Sequence, residues 1–155
     1  MMRWKIDEAP WDPFLGHVVV GEGHQAIRAT DTYVDAWFFA LMEGTERVLS
    51  GDDSPFSVPI IDEKPLRFTP MRGDSFFIDF EGQTVLLGPK VKVARDVARD
   101  VRRFFVGSRA AGTPIGQELM HALRHLQNAI DRVAGEDRSQ QVTLFRINTP
   151  GFRPV

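Results

Sequence analysis

One group of side chains in this 155-residue sequence has the types and spacing that metal chemistry requires. Glu118, His121 and His125 follow one another at intervals of three and four residues, which brings them to one side of a helix. Two imidazoles and a carboxylate can bind zinc or a non-haem metal. The spacing differs from the metalloprotease motif, in which a glutamate directly follows the first histidine. We interpret the group as a solvated helix face, with a metal-dependent enzyme as the alternative.

A second group lies on a predicted amphipathic helix over residues 92–106. Four arginines share one side of this helix and two aspartates interrupt them: Arg95, Arg99, Arg102, Arg103, Asp96 and Asp100. Because these carboxylates oppose the counterion release that drives nucleic-acid binding, the pattern predicts an ion-paired, solvated face. The sequence contains neither a phosphate-binding glycine loop nor a nucleophile elbow, and it has no cysteine. It therefore predicts no catalytic residue, no cofactor and no nucleic-acid partner.

The most hydrophobic segment with helix punctuation is DTYVDAWFFALMEGTERVLSG, residues 31–51. Asp31 or Thr32 is the expected N-cap, and Gly51 is the expected end. The apolar positions recur at helical spacing over more than half of the circumference, so this helix must be covered on two sides. Gly44 costs about 1 kcal/mol relative to alanine inside a helix, and it would permit the close approach of another backbone. We expect a buried central helix.

The sequence on both sides of this helix contains patterns that predict β-strands. Apolar and polar residues alternate over 75–87, which predicts a hairpin with Phe77 on its outer face. The short extended pieces at 58–61 and 66–68 are rich in proline, which indicates sheet edges. The remaining predicted elements are strands at 3–7, 14–20, 25–30 and 142–147, a connector at 9–13, and helices over 92–106 and from Pro114 to Gly135.

The predicted fold class is α+β, with a mostly antiparallel, curved sheet packed against about three helices. The length suits a single domain over residues 1–155, with 148–155 as a flexible tail. No apolar run approaches the ~20 residues of a membrane helix, and the N-terminus lacks the apolar region of a secretory signal. We therefore expect a cytoplasmic protein without a membrane partner.

The net charge of -2 conceals an uneven distribution along the chain. Residues 1–88 contain seven Lys or Arg against fifteen Asp or Glu, a balance of -8, whereas residues 89–155 contain twelve against six, a balance of +6. Such a split favours docking of the two halves on each other, or an acidic face offered to a basic partner. A homodimer that pairs acidic with basic halves is a further alternative.

The opening strands, the helix DTYVDAWFFALMEG, the segment GDSFFIDFEGQTVLLGP and the amphipathic helix after it resemble the pattern of immunity proteins encoded beside bacterial polymorphic toxins. The resemblance spans about residues 14–106. It implies a non-catalytic inhibitor that binds a toxin domain and covers its active site. Contact is then expected on exposed acidic residues around an aromatic anchor. The candidates are Asp52, Asp53, Asp62, Glu63, Asp79 and Glu81, with Phe56 or Phe77 as the anchor.

Overall fold

The computed structural model describes residues 1–7 and 14–148, with side chains described as far as Glu136. The predicted connector at 9–13 and residues 149–155 of the predicted tail lie outside the described residues. In chain order the elements are β1 (Met2–Ile6), β2 (Leu15–Val20), a 3-10 turn (Gly23–Gln25), β3 (Ile27–Tyr33), α1 (Val34–Leu49), β4 (Phe56–Val58), β5 (Leu66–Pro70), β6 (Phe76–Phe80), β7 (Gln83–Leu87), α2 (Lys90–Gly107) and α3 (Pro114–Asn148). The predicted α+β class is confirmed.

The strands form two antiparallel sheets, ordered β1-β2-β3 and β4-β5-β6-β7. In β6 the alternation works as predicted, because every second residue from Phe76 to Phe80 is buried while Phe77 is half-buried on the outer side. The turn between β6 and β7 has positive φ at both Glu81 (46°) and Gly82 (80°), as a type I′ turn requires. The hairpin is confirmed.

The two sheets meet at their edges through the side chain of Gln83. Its amide oxygen accepts the Arg28 backbone N–H at 2.8 Å, and its amide nitrogen donates to the Arg28 carbonyl at 3.0 Å. Gln83 thus gives β3 the hydrogen bonds that a neighbouring strand would supply. Since β3 and β7 are the edge strands of their sheets, this contact joins the sheets edge to edge in place of the single sheet expected.

Replacing Gln83 by alanine is expected to lower the free energy of unfolding by about 1–2 kcal/mol, because two hydrogen bonds are lost. Gln83→Glu is the sharper variant, since it keeps an acceptor for the Arg28 N–H but sets a second oxygen against the Arg28 carbonyl. It should destabilise the protein as well. Urea denaturation followed by circular dichroism measures both effects, and wild-type stability of Gln83→Glu would contradict the junction.

Helix α1 lies at the centre of the core. Strands of both sheets contact it, and so do α2 and α3. Trp37, Phe38 and Met42 are almost fully buried, so the predicted coverage on two sides is confirmed. At Gly44 a Cβ atom would lie 2.0 Å from Cζ of Phe68. The close approach is therefore made by an aromatic ring of β5 rather than by a second backbone.

Helix α1 begins later than predicted, at Val34, with Tyr33 at the N-cap position. Asp31 has a φ of 50° and lies in β3 where the register with β2 shifts. The Thr32 hydroxyl is buried and accepts a hydrogen bond from Trp37 Nε1 at 2.9 Å. Thr32 pairs with Gly16 of β2, and Asp31 lies in the irregular part of the same strand, so neither of them caps the helix.

Two strand predictions are wrong. Of the two proline-rich pieces predicted at sheet edges, β4 is an edge strand, but β5 is an interior strand between β4 and β6. Pro65 precedes β5 and Pro70 is its last residue, so no donor inside the strand is lost. Residues 142–147 belong to α3, which continues through Gly135. A helical glycine costs about 1 kcal/mol, which does not by itself end a helix, and the next proline is Pro150.

Candidate functional site

The carboxyl-terminal end of α1 and the turn after it form a shallow depression of about 560 Å³. Its lining residues are Glu43, Glu46, Arg47, Ser50, Gly51 and Asp52. The two glutamates share one side of the helix because they are three residues apart. Gly51, with a φ of 89°, turns the chain so that the Asp52 N–H donates to the Arg47 carbonyl at 3.2 Å. We call this feature the acidic depression.

Arg47 forms one wall of the acidic depression and is held there by two contacts. Its guanidinium donates to Asp52 Oδ2 at 2.9 Å, and it lies over the Phe56 ring, 3.8 Å from the centroid. Phe56 in turn stacks on the buried Phe68, with centroids 5.2 Å apart and planes 4° apart. These contacts fix the guanidinium and neutralise Asp52. Phe56 is accordingly only half-exposed.

The acidic depression has an excess of negative charge. Three carboxylates (Glu43, Glu46 and Asp52) against one guanidinium leave a charge of -2, and Asp53 follows directly. Within the described part of the chain, Arg47 and Asp52 make the only ion pair there. The carboxyl-terminal end of a helix also carries roughly half a negative charge, which disfavours the carboxylate of Glu46 in the last turn of α1. An arrangement that breaks a local stability rule in this way is typical of functional sites.

The structure divides the eight predicted contact residues between two places. Asp52 lines the acidic depression, Asp53 is the next residue in the chain, and Phe56 contacts the depression through Arg47. The antiparallel register places the β4–β5 loop and the β6–β7 turn together at the other end of β4. The remaining candidates lie at that end or on the outer face of the sheet beside it: Asp62, Glu63, Phe77, Asp79 and Glu81.

The outer face of the second sheet carries an apolar pair. Phe77 lies directly opposite Leu86 in the register of β6 and β7, and Leu86 is 51% exposed. Asp79 lies opposite Arg67 and opposite Thr84, whose hydroxyl donates to the Asp79 carboxylate. This surface is more apolar than the acidic depression, and its carboxylate is already hydrogen-bonded.

The sequence did not identify Glu43 and Glu46 as site residues, because charged residues on a helix are normally assigned to its solvent-exposed side. A signal for them does exist in the sequence. Two carboxylates three residues apart precede Asp52 and Asp53, near a helix end where basic residues are normally preferred.

On α3, the side chains of His121 and His125 are exposed, and their Nε2 atoms lie 3.2 Å apart. Glu118 is exposed on the same helix. Among the described residues, no group of three or more His, Asp or Glu side chains is arranged to hold a metal ion. The structure therefore brings the two histidines together without a third ligand.

The predicted ion-paired face of α2 is present. Asp96 lies 3.1 Å from Lys92 Nζ and 3.3 Å from a guanidinium nitrogen of Arg99. All three side chains lie at the surface, where such pairs contribute little to stability and are screened by salt.

The prediction for Asp100 is wrong. The sequence pattern places this residue on the solvated face of α2, but in the structure it is buried, with 1% exposure. Its Oδ2 accepts the Met2 backbone N–H at 3.0 Å, and the Met1 amino nitrogen lies 3.4 Å from the same atom. Arg99 and Arg103 approach Oδ1 at 3.4 and 3.9 Å. The contact with the start of β1 explains why this carboxylate is directed inward.

Comparison of the chain with protein-family models, with curated proteins and with solved structures gives no match. None of the described helices has the length and the apolar character needed to cross a membrane. The function is therefore inferred from the site itself.

Proposed function

We propose that the protein is a non-catalytic protein-binding module, an immunity protein that neutralises a toxin domain by covering its active site. The observation that carries this proposal is the acidic depression, where Glu43 and Glu46 lie at a helix end without an ion-pair partner among the described residues. Unpaired carboxylates beside a negative helix end attract a cation from outside the molecule. The resemblance over residues 14–106 supports a toxin as the kind of partner.

A basic segment of the toxin fits this site. Toxin domains that act on nucleic acids need cationic active sites to hold phosphates. A lysine or arginine from such a site would form charge-assisted hydrogen bonds with Glu43 and Glu46, beside the wall that Arg47 and Phe56 provide. The excess of negative charge would also speed the encounter, since complementary fields steer association.

Replacing Glu43 and Glu46 together by glutamine is expected to slow association with the toxin domain by about tenfold at low salt, and by much less at high salt, because steering is screened. The same double variant should be as stable as the wild type, or more stable by about 0.3–1 kcal/mol, since it removes charge that opposes the helix dipole. Stopped-flow binding to the toxin domain encoded beside this protein measures the rate, and urea denaturation measures the stability.

The matched control removes two carboxylates from the other end of β4, as Asp62→Asn with Glu81→Gln. This pair changes the net charge equally but lies away from the acidic depression, so it should leave the association rate close to that of the wild type. If the control pair slows association more than the Glu43, Glu46 double variant does, the toxin contacts the outer face of the second sheet instead. Co-expression tests the function itself, because failure of the wild-type protein to bind the toxin and restore growth would overturn the proposal.

A further inference from the structure

His121 and His125 form an exposed pair of imidazole side chains on α3. Four residues separate His121 from His125, so their rings lie one turn apart with centroids 4.7 Å from each other and planes at 73°. The two Nε2 atoms lie 3.2 Å apart. Both side chains are exposed, so an ion from solution can reach them without any rearrangement of the core.

The separation of the two nitrogens matches that of two ligands on one metal ion. With zinc–nitrogen bonds of about 2.05 Å, the observed 3.2 Å gives a nitrogen–metal–nitrogen angle of about 100°. The angle in a tetrahedral site is about 109°, the geometry that zinc prefers with imidazole ligands. We propose that His121 and His125 form a two-histidine chelate for a divalent transition-metal ion, with zinc as the best fit. This inference is independent of the proposed immunity function.

The ligand set also determines which ions are excluded. Imidazole suits zinc, nickel and copper, whereas magnesium and calcium require oxygen ligands. To bind the ion, both rings must carry their proton on Nδ1 and present the Nε2 lone pair, so the contact between the two Nε2 atoms is given up. That exchange breaks one exposed hydrogen bond and releases water from the hydrated ion, and it forms two metal–nitrogen bonds in place of metal–water bonds.

The ion is exchangeable rather than structural. Because the described residues contain no three-ligand group, water completes the coordination, and the site keeps open positions as a catalytic or binding site does. Folding does not depend on it, since α3 packs through a separate apolar stripe that includes the buried Leu119, Leu123 and Leu126. A chelator should therefore leave the thermal unfolding of the protein unchanged.

The test is a titration of the full chain with zinc, followed by calorimetry and by the histidine ring signals in proton NMR. The chain has four histidines, so each ring can be followed separately. We expect one ion per chain, with zinc-induced shifts confined to His121 and His125. Because two linked ligands bind about 10²-fold more tightly than one, His121→Gln or His125→Gln should each weaken binding by about that factor. His24→Gln is the matched control and should bind zinc as the wild type does.

Glutamine is a good helix former, and circular dichroism will verify that each variant keeps its helical content. Magnesium and calcium should give no saturable binding. Zinc binding that survives replacement of both His121 and His125 would overturn the proposal, as would the absence of saturable binding in the wild type. A ratio of one ion to two chains would also overturn this single-chain site.

Discussion

Replacing Gly44 by alanine is expected to lower the free energy of unfolding by about 2 kcal/mol or more, although alanine is the better helix former by about 1 kcal/mol. A Cβ atom here would lie 2.0 Å from Cζ and 2.2 Å from Cε2 of Phe68. The Phe68 ring is fully buried, and it stacks between Phe56 and Phe76 at centroid distances of 5.2 and 6.1 Å. The ring cannot move aside without displacing both neighbours, so overpacking outweighs the gain in helix propensity.

The chain offers a matched control for this substitution. Gly135 also lies inside a helix, but nothing lies within 4 Å of the position that its Cβ would take. Gly135→Ala should therefore stabilise the protein by up to about 1 kcal/mol. Urea denaturation should thus give opposite signs for the two variants. Equal effects would contradict the close contact between α1 and β5, whereas partial recovery in a Gly44→Ala, Phe68→Leu double variant would support it.

Gly44 also illustrates how much of the fold the sequence predicts. The helical spacing of apolar residues identifies α1 and its burial, because that pattern is local. The partner at Gly44 is Phe68, which is 24 residues away along the chain. Such a contact depends on how β5 pairs and packs, and the spacing of apolar residues along the chain does not predict it. The sequence therefore predicts that this glycine permits a close approach, but not what approaches it.

The boundaries that were mispredicted have similar causes. Thr32 has the chemistry of an N-cap, yet strand pairing and the hydrogen bond from Trp37 place it in β3. Gly135 has the chemistry of a helix stop, yet α3 continues through it. At Thr32 a local signal of about 1 kcal/mol yields to strand pairing, whereas at Gly135 a cost of about 1 kcal/mol is too small to end the helix.

The candidate site was predictable in part. Asp52 and Asp53 stand out in the sequence as an acidic pair after a helix, and in the structure Asp52 lines the acidic depression. Their association with Glu43 and Glu46 depends on the turn at Gly51, which directs Asp52 back to the helix end. The distribution of charge along the sequence therefore indicates an acidic surface but not its location.

Replacing Asp100 by alanine is expected to lower the free energy of unfolding by about 2–3 kcal/mol, the upper part of the usual range for leaving a buried donor unsatisfied. The loss leaves the Met2 N–H without its buried acceptor. It also leaves Arg99 and Arg103 without the carboxylate that both approach within 4 Å. Because β1 is an edge strand paired only with β2 in the described sheet, this contact is a main link between its start and α2.

Two further variants separate the contributions to this effect. Asp100→Asn keeps an oxygen for the Met2 N–H but removes the charge that faces the arginines, so its cost should be intermediate. Asp96→Ala is the surface control on the same helix, since Asp96 is 22% exposed and pairs with Lys92 and Arg99; it should cost at most about 1 kcal/mol. Urea denaturation of the three variants measures the free energy of unfolding of each and so ranks them by stability. If Asp100→Ala costs no more than Asp96→Ala, the buried carboxylate does not anchor β1, because its removal would then cost only what an exposed ion pair contributes.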